Sequence, residues 1–229
     1  MINDDPPRTA PMKMLEIDFA HHRFALLPDR AAWWPAARTV IVADVHVGKA
    51  ATFRAFGVPV PSGLTAKDLS RLSILIEHFN ASRLLILGDL LHSREARASV
   101  AQLKQWRDRH ANIAVQLVGG NHDRSAGIDS ETFGIHSHCG ILHEQGLDFV
   151  HEPADTPRHP TLAGHVHPTM RLNDFDGSGV RVPCFVVDPL QMIFPSFGSF
   201  TGGHQMNPLP DRRLIAVAAG RVVEMKGFG

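Results

Sequence analysis

The sequence predicts an α/β fold in which short strands alternate with helices. Three apolar runs, at residues 39–43, 84–87 and 113–118, have the length of buried strands. The segments between them place apolar residues at helical spacing. This order of strand, helix and strand is typical of layered α/β domains in which crossover helices connect parallel strands.

Length and composition favour one domain. The chain has 229 residues, of which 44% are hydrophobic, so it can bury one substantial core. We predict a flexible, polar and proline-rich tail at residues 1–12 and a single domain at residues 13–229. Lysine plus arginine (23) equals aspartate plus glutamate (23), so the chain carries no net charge and lacks the basic arm of many nucleic-acid-binding proteins.

The sequence predicts a cytoplasmic protein that does not enter a membrane. The tail lacks the apolar core of a secretory signal, and no apolar run approaches the ~18 residues of a membrane span. The two cysteines, Cys139 and Cys184, belong to no paired metal-ligand motif, which fits a reducing compartment. Because Cys184 lies in an apolar run, we predict a buried and unreactive thiol there.

The first elements in chain order are a hairpin and a buried strand. Residues 15–19 alternate apolar and acidic side chains, and residues 24–27 follow after a short polar break, which predicts the hairpin. The large aromatic side chains of Trp33 and Trp34 are expected to cover a sheet edge. The apolar run at 39–43 is the first buried strand.

Two helices and a long loop fill the spaces between the buried strands. The segment 47–63 is rich in proline and glycine and is predicted to be a functional or flexible loop. Thr65 and Asp68 resemble a helix capping box, and apolar residues then recur at spacings of three and four up to Phe79. A similar pattern predicts a second helix at residues 94–109.

The second half of the chain changes to shorter elements. Apolar runs at 147–150 and 161–163 are short enough for strands. Asp176-Gly177 and Ala219-Gly220 are turn signals between further apolar runs, which predicts hairpins.

Polar residues of the kinds that bind metals follow the apolar runs. Carboxyl ends of strands in α/β sheets meet at one rim, so these side chains are expected to converge. Their carboxylate, imidazole and amide donors suit Mn²⁺, and Fe, Zn²⁺ or Co²⁺ fit the same donors. The predicted ligands are Asp44, His46, Asp89, Asn121, His151, His165 and His167.

Such a donor set can hold two divalent ions. Asp44-x-His46 and His165-x-His167 would each place two side chains on one face of a strand. Asp89 can bridge two ions about 3.5–4 Å apart, an arrangement that stabilises the attacking and leaving oxygens at phosphorus and turns a bridging water into hydroxide near neutral pH. Each motif alone favours a structural role, but their joint order after successive strands favours a metal site.

These motifs together resemble the calcineurin-like metallophosphoesterase superfamily. The resemblance implies a four-layer αββα sandwich, in which two mixed sheets are flanked by helices and a dinuclear metal site lies at the strand ends. It implies that His122 protonates the leaving group and that Asp123 orients the His122 ring. The motifs are Asp44-Val45-His46, Gly88-Asp89-Leu90-Leu91-His92, Gly120-Asn121-His122-Asp123, His151 and Gly164-His165-Val166-His167.

The resemblance also divides the ligands between the two metals. The first metal would take Asp44, His46, Asp89 and His167. The second would take Asp89, Asn121, His151 and His165.

A closer similarity extends from residue 39 to residue 204, to the bacterial ligase-associated metallophosphoesterases of the DNA-damage response. It implies a manganese-dependent phosphodiesterase or endonuclease in association with an ATP-dependent DNA ligase and a helicase. The leading hypothesis is a phosphodiesterase whose substrate is nucleic acid, with single-stranded or nicked DNA as the candidates. The segments that carry the similarity are residues 47–63, Leu90 to Arg94, His151-Glu152-Pro153, Leu162 to His165, Pro183-Cys184-Phe185 and Phe197 to His204.

Two other functions fit the same sequence. One is a phosphatase for nucleotides or sugar phosphates, and the other is a non-catalytic scaffold that docks a ligase or helicase. Five basic residues near the motifs could contact phosphate, although a solvated surface position is equally favoured for each. They are Lys49, Arg54, Arg94, Arg124 and Arg171.

Overall fold

The computed structural model describes residues 12–92, 97–126, 130–173 and 178–225. The predicted tail up to residue 11, Arg94 and the predicted turn at Asp176-Gly177 lie outside these ranges, and so does the side chain of Arg124.

Two mixed β-sheets form the body of the molecule, which confirms the predicted α/β sandwich. The first sheet has seven strands in sequential order. Its first four strands pair antiparallel and its last four pair parallel. The strands are β1 (Leu15–Phe19), β2 (His22–Leu27), β3 (Ala31–Trp34), β4 (Thr39–Val42), β5 (Arg83–Leu87), β6 (Ala114–Val118) and β7 (His136–His138).

The second sheet contains nine strands from the remainder of the chain. Seven of them run in the order β14-β11-β12-β13-β10-β9-β8, while β15 pairs with β12 and β16 pairs with β15. They are β8 (Leu142–Glu144), β9 (Leu147–Phe149), β10 (Thr161–Ala163), β11 (Pro168–Asn173), β12 (Gly179–Asp188), β13 (Gln191–Ile193), β14 (His204–Gln205), β15 (Arg213–Ala218) and β16 (Arg221–Glu224).

Four α-helices and two 3₁₀ turns complete the described elements. The two predicted helices are confirmed as α2 and α3, and the predicted turn at Ala219-Gly220 joins β15 to β16. The helices are α1 (Lys49–Ala55), α2 (Leu64–His78), α3 (Arg97–Arg109) and α4 (Asn121–Ala126), and the 3₁₀ turns are Pro35–Ala37 and Ser130–Phe133. None of the described helices has the length and apolar character needed to cross a membrane.

Helix α1 lies where a loop was predicted, so that prediction was wrong for its first half. The breaking residues of segment 47–63 stand at Gly48 and from Gly57 onward, and the seven residues of α1 between them contain no glycine or proline. The capping box was also wrong, because α2 begins after Gly63 without a side-chain cap. Asp68 is used elsewhere, as described below.

Alternation along the strands places apolar side chains on both faces of each sheet. In β4, Val40 faces the helices α2 and α3, whereas Ile41 faces the second sheet. In β12, Phe185 packs between the sheets and Cys184 lies on the opposite face. Each fully buried Leu, Ile or Phe side chain stabilises the fold by about 1.5–3 kcal/mol.

The outer face of the second sheet differs from the predicted fourth layer. Within the described ranges no helix follows residue 133, so the helices with large apolar faces pack on the first sheet. The outer apolar cluster of the second sheet is instead contacted by Val166, Leu172 and Met206. The sequence in this half alternates at period two and lacks helical periodicity, which explains the missing helices.

The two adjacent tryptophans do not cover a sheet edge. Strand β3 lies between β2 and β4, so it is an interior strand. Trp34 is completely buried between the sheets, near Phe149, while Trp33 stacks on Phe79 with ring centroids 4.9 Å apart. Adjacent residues of a strand point to opposite faces, so the pair serves two different cores.

Candidate metal centre

All seven predicted ligands meet at one rim of the sandwich, in two groups. The first group surrounds the Nε2 atom of His46. This atom lies 3.2 Å from Nε2 of His167 and 3.8 Å from Oδ2 of Asp89. Nε2 of His167 lies 3.5 Å from Oδ1 of Asp44. Four donor atoms from the three segments that follow β4, β5 and β10 therefore face one small volume.

The second group surrounds the Nε2 atom of His151. It lies 2.9 Å from Oδ1 of Asn121, 3.0 Å from Nδ1 of His165 and 3.5 Å from Oδ1 of Asp89. Asp89 thus presents one carboxylate oxygen to each group. The two groups coincide with the division of ligands that the family resemblance implies, and the ligand roles themselves stay predictions.

The first group has the properties that a cation requires. Asp44 is completely buried, and its Oδ2 accepts a hydrogen bond of 2.9 Å from the backbone N–H of His165. Its Oδ1 accepts no hydrogen bond from any described residue. An unsatisfied buried carboxylate oxygen is strongly unfavourable, and a bound cation would remove that penalty.

Burial keeps the predicted ligand His46 neutral. Burial lowers the pKa of His46 far below its usual range, and the nearby charge of Lys49 lowers it further. The ring is therefore neutral and has a lone pair for a metal. His151 donates from Nδ1 to the backbone oxygen of Leu87 at 3.1 Å, which leaves Nε2, the atom near Asn121 and His165, as the acceptor.

The backbone at the site is left-handed, which the strand-face prediction did not include. Asp44 and His46 lie beyond the end of β4 with φ values of 53° and 50°, and His165 and His167 have φ values of 70° and 49°. Asp89 has φ 50°. These five are among twelve described non-glycine residues with positive φ. Such a conformation costs about 1–2 kcal/mol for a residue with a Cβ, and it clusters at functional sites.

Backbone pairing continues past the strand ends and fixes this conformation. The N–H of Asp44 donates to the oxygen of Gly88 at 3.1 Å, and the N–H of His46 donates to the oxygen of Asp89 at 2.9 Å. Asp44, His46 and Asp89 therefore converge because backbone hydrogen bonds join the loop after β4 to the loop after β5. The alternating pleat of a strand, which we had expected to align them, does not act here.

Two glycines of the motifs make room for the ligands. A Cβ on Gly88 would lie 2.0 Å from Nδ1 of His151, and a Cβ on Gly120 would lie 2.2 Å from Oδ1 of Asp89. Both distances are impossible for a real side chain. These positions therefore require glycine because the ligand side chains approach the backbone closely.

His122 lies at the edge of the first group and is half-buried. Its ring stacks on the ring of His92 with centroids 4.9 Å apart, and it meets the ring of His46 edge-on at 5.2 Å. Its backbone N–H donates to Oδ1 of Asp89 at 3.0 Å. The ring is thus close enough to the first group to exchange a proton with a substrate that is bound there.

Asp123 does not bond the ring of His122. Its two carboxylate oxygens accept hydrogen bonds from the backbone N–H groups of Leu91 at 2.9 Å and Gly120 at 3.0 Å. Burial raises the pKa of Asp123, and these two hydrogen bonds oppose the rise. The carboxylate therefore ties the loop after β5 to the start of α4, and any orienting effect on His122 passes through that backbone.

Sequence reasoning missed two residues beside the centre. His92 belongs to a quoted motif but received no role, and the structure groups its ring nitrogen with those of His46 and His122. Lys49 was named only as a possible phosphate contact. Burial lowers its pKa, whereas the charges of Asp44 and Asp89 raise it, so the ammonium lies within their electrostatic reach.

The remaining basic residues have less connection with the centre. Arg54 donates to the backbone oxygen of Pro61 at 2.8 Å and so closes the loop after α1. Arg171 is exposed on β11.

A buried ion-pair network supports the loop beneath Asp44. Ser196 Oγ donates to the backbone oxygen of Asp44 at 2.8 Å, and the next residues of its loop are held by Asp68 and Arg71. Arg71 pairs with Asp68 at 3.0 Å and lies 4.1 Å above the ring of Phe197. Asp68, which was predicted to belong to a helix cap, therefore positions the loop that supports the predicted ligand Asp44.

Comparison with solved structures shows a strong similarity to a nuclease. The crystal structure of the Pseudomonas putida nuclease MPE has a TM-score of 0.81 with this chain, at 38% sequence identity, and the match covers 93% of this chain and 100% of that one. YfcE, a phosphoesterase from E. coli, matches with a TM-score of 0.42 at 15% identity over 82% of this chain and 97% of that one. No protein-family model matches, and the comparison with curated proteins gives no match.

Proposed function

The chain belongs to the calcineurin-like metallophosphoesterases and is a metal-dependent phosphoesterase, and from this premise we propose that it is a nuclease that hydrolyses phosphodiester bonds in DNA. The observation that carries the proposal is the pair of donor groups that share Asp89. An Asp side chain with one oxygen in each group is the arrangement that two adjacent divalent cations need.

Two divalent ions would be held by this chain's own side chains. We assign Asp44, His46, Asp89 and His167 to the first and Asp89, Asn121, His151 and His165 to the second. The mixed oxygen and nitrogen donors suit Mn²⁺, and Fe, Zn²⁺ or Co²⁺ would fit the same donors. When bound, such ions supply charge stabilisation at the reacting phosphate and a nucleophile that exists at neutral pH.

The protein contributes proton transfer and rigid positioning. His122 has no place in either donor set, and its imidazole at the edge of the first group is suited to protonate the leaving-group oxygen. Asp123 fixes the loop after β5 and the start of α4, which carries His122, by accepting hydrogen bonds from the backbone N–H groups of Leu91 and Gly120. The imidazole of His46 stays neutral because it is buried, so it does not compete as an acid.

DNA is the proposed substrate because the matched nuclease covers nearly the whole chain at 38% identity. The net charge of zero means that DNA affinity would come from local cationic groups and the bound metals. The closer family similarity supports a role in DNA repair beside an ATP-dependent DNA ligase and a helicase, in the cytoplasm.

The test compares substrates and metals with purified protein. Wild type with Mn²⁺ should hydrolyse bis(p-nitrophenyl) phosphate and a single-stranded DNA oligonucleotide, and EDTA or Asp89→Asn should abolish both activities while the protein stays folded. Preferred hydrolysis of nucleoside monophosphates or sugar phosphates would replace the nuclease with a small-molecule phosphatase. If the fully metallated wild type hydrolysed none of these substrates, a scaffold would be the better description.

A further inference from the structure

Two cavities share lining residues with the candidate metal centre. One of about 480 Å³ is lined by His151 of the second donor group, and one of about 270 Å³ is lined by His167 of the first. The larger cavity has carboxylates in its lining, those of Asp148 and Glu152. The smaller cavity, called here the His167 cavity, is lined by two arginines and by no carboxylate among the described residues.

The two arginines of the His167 cavity are Arg30 and Arg181. Arg30 is half-buried, and its Nη1 donates to the backbone oxygens of Ser196 at 3.1 Å and Gly198 at 3.2 Å. Burial and the neighbouring charge of Arg71 lower the pKa of Arg30, whereas the charges of Asp68 and Asp29 raise it. An arginine side chain remains charged in either case. Arg30 therefore supplies positive charge that cannot move away.

Arg181 supplies a second, exposed cation on strand β12. It stands directly across from Arg171 of β11 in the antiparallel register. Arg181 thus adds positive charge to the lining of the cavity. Within the described part of the chain, no carboxylate forms an ion pair with Arg181.

The cavity leaves room for a small group beside Thr169 and Gly203. Thr169 donates from its hydroxyl to the backbone oxygen of His204 at 3.0 Å. A Cβ on Gly203 would lie 2.3 Å from Cγ2 of Thr169, so β14 can approach β11 only because this residue is glycine. Pockets for drug-sized ligands have volumes of about 300–1,000 Å³. A cavity of about 270 Å³ therefore suits a smaller group such as a phosphate.

We propose that the His167 cavity binds a phosphate of the DNA strand that neighbours the phosphate undergoing hydrolysis. This inference rests on the proposed nuclease function. A strand bound across the two donor groups would pass His167 and reach Arg181, whose planar guanidinium is matched to phosphate oxygens. The cavity would thereby set the register of the strand over the metal centre.

The experiment uses two substrates and three variants with Mn²⁺. Bis(p-nitrophenyl) phosphate has a single phosphate, whereas a single-stranded oligonucleotide without terminal phosphates offers only internal ones. Arg181→Ala should raise KM for the oligonucleotide about tenfold. It should also reduce, by about 0.7, the steepness of the plot of log binding constant against log salt concentration. It should leave hydrolysis of bis(p-nitrophenyl) phosphate unchanged. Arg181→Lys should fall between Arg181→Ala and wild type.

Arg109→Ala is the matched control, because Arg109 is an exposed arginine on helix α3, outside the lining of this cavity. It should behave as wild type on both substrates.

The proposal is overturned if Arg181→Ala leaves the oligonucleotide KM unchanged, if it impairs both substrates equally, or if Arg109→Ala has the same effect. If Arg181→Ala raises KM only for a 5′-phosphorylated oligonucleotide, the cavity binds a terminal phosphate. The proposal that it binds an internal phosphate is then refuted. Wild type that cleaves only bis(p-nitrophenyl) phosphate would overturn the DNA assignment together with this cavity, and would leave the phosphodiesterase chemistry intact.

Discussion

The glycine pair before Asn121 offers a sharp test of how the centre is built. In Gly120→Ala the new Cβ would lie 2.2 Å from Oδ1 of Asp89, whereas ordinary contacts begin at 3.4 Å. Asp89 must therefore move by about 1.2 Å. Misplacement of this size costs about a hundredfold in rate, which corresponds to about 2.7 kcal/mol. Because Asp89 faces both donor groups, metal affinity should fall as well.

The neighbouring glycine provides the control. A Cβ on Gly119 would have its nearest contact at 3.6 Å, from the backbone oxygen of His138, so Gly119→Ala should stay within about threefold of wild type. Hydrolysis of bis(p-nitrophenyl) phosphate and bound manganese per chain should be measured for both variants. Wild-type activity and metal content in Gly120→Ala would refute the argument that Asp89 is fixed by close packing against this backbone.

Three further predictions follow from the same contacts. His122→Ala should lower turnover by about 10²- to 10⁴-fold while bound manganese stays at the wild-type level, and an equal loss of metal would contradict its assignment as an acid. Arg71→Met removes the ion pair from Asp68 in a largely buried site and leaves that carboxylate only its hydrogen bonds from Ser199. The variant should lower the free energy of unfolding by about 3 kcal/mol in a urea titration, whereas an unchanged midpoint would show that the network is dispensable. Burial raises the pKa of Cys184 to about 12, so a thiol reagent at pH 8 should modify exposed Cys139 alone until denaturant is added, and two reactive thiols in the native protein would contradict this burial.

Local patterns in the sequence predicted the elements that depend on local physics. The buried strands, the helices α2 and α3 and the hairpins β1–β2 and β15–β16 follow from apolar periodicity and turn residues. The segment 47–63 was predicted to be a loop from its overall content of glycine and proline. These residues lie only outside Lys49–Ala55, so the helix between them was missed. Asp68 was assigned to a local cap, although its partners Arg71 and Ser199 include one that is 131 positions away.

The sequence by itself determined which residue types stand at the strand ends, because ligand chemistry and strand patterning are both properties of short segments. Tertiary structure alone decided that Asp89 divides its two oxygens between His46 and His151. It also decided that Asp123 bonds the backbone of its neighbours in place of the His122 ring. Such contacts depend on left-handed loop conformations and on glycines that admit close approach, and these are set by packing between segments that are far apart in the chain.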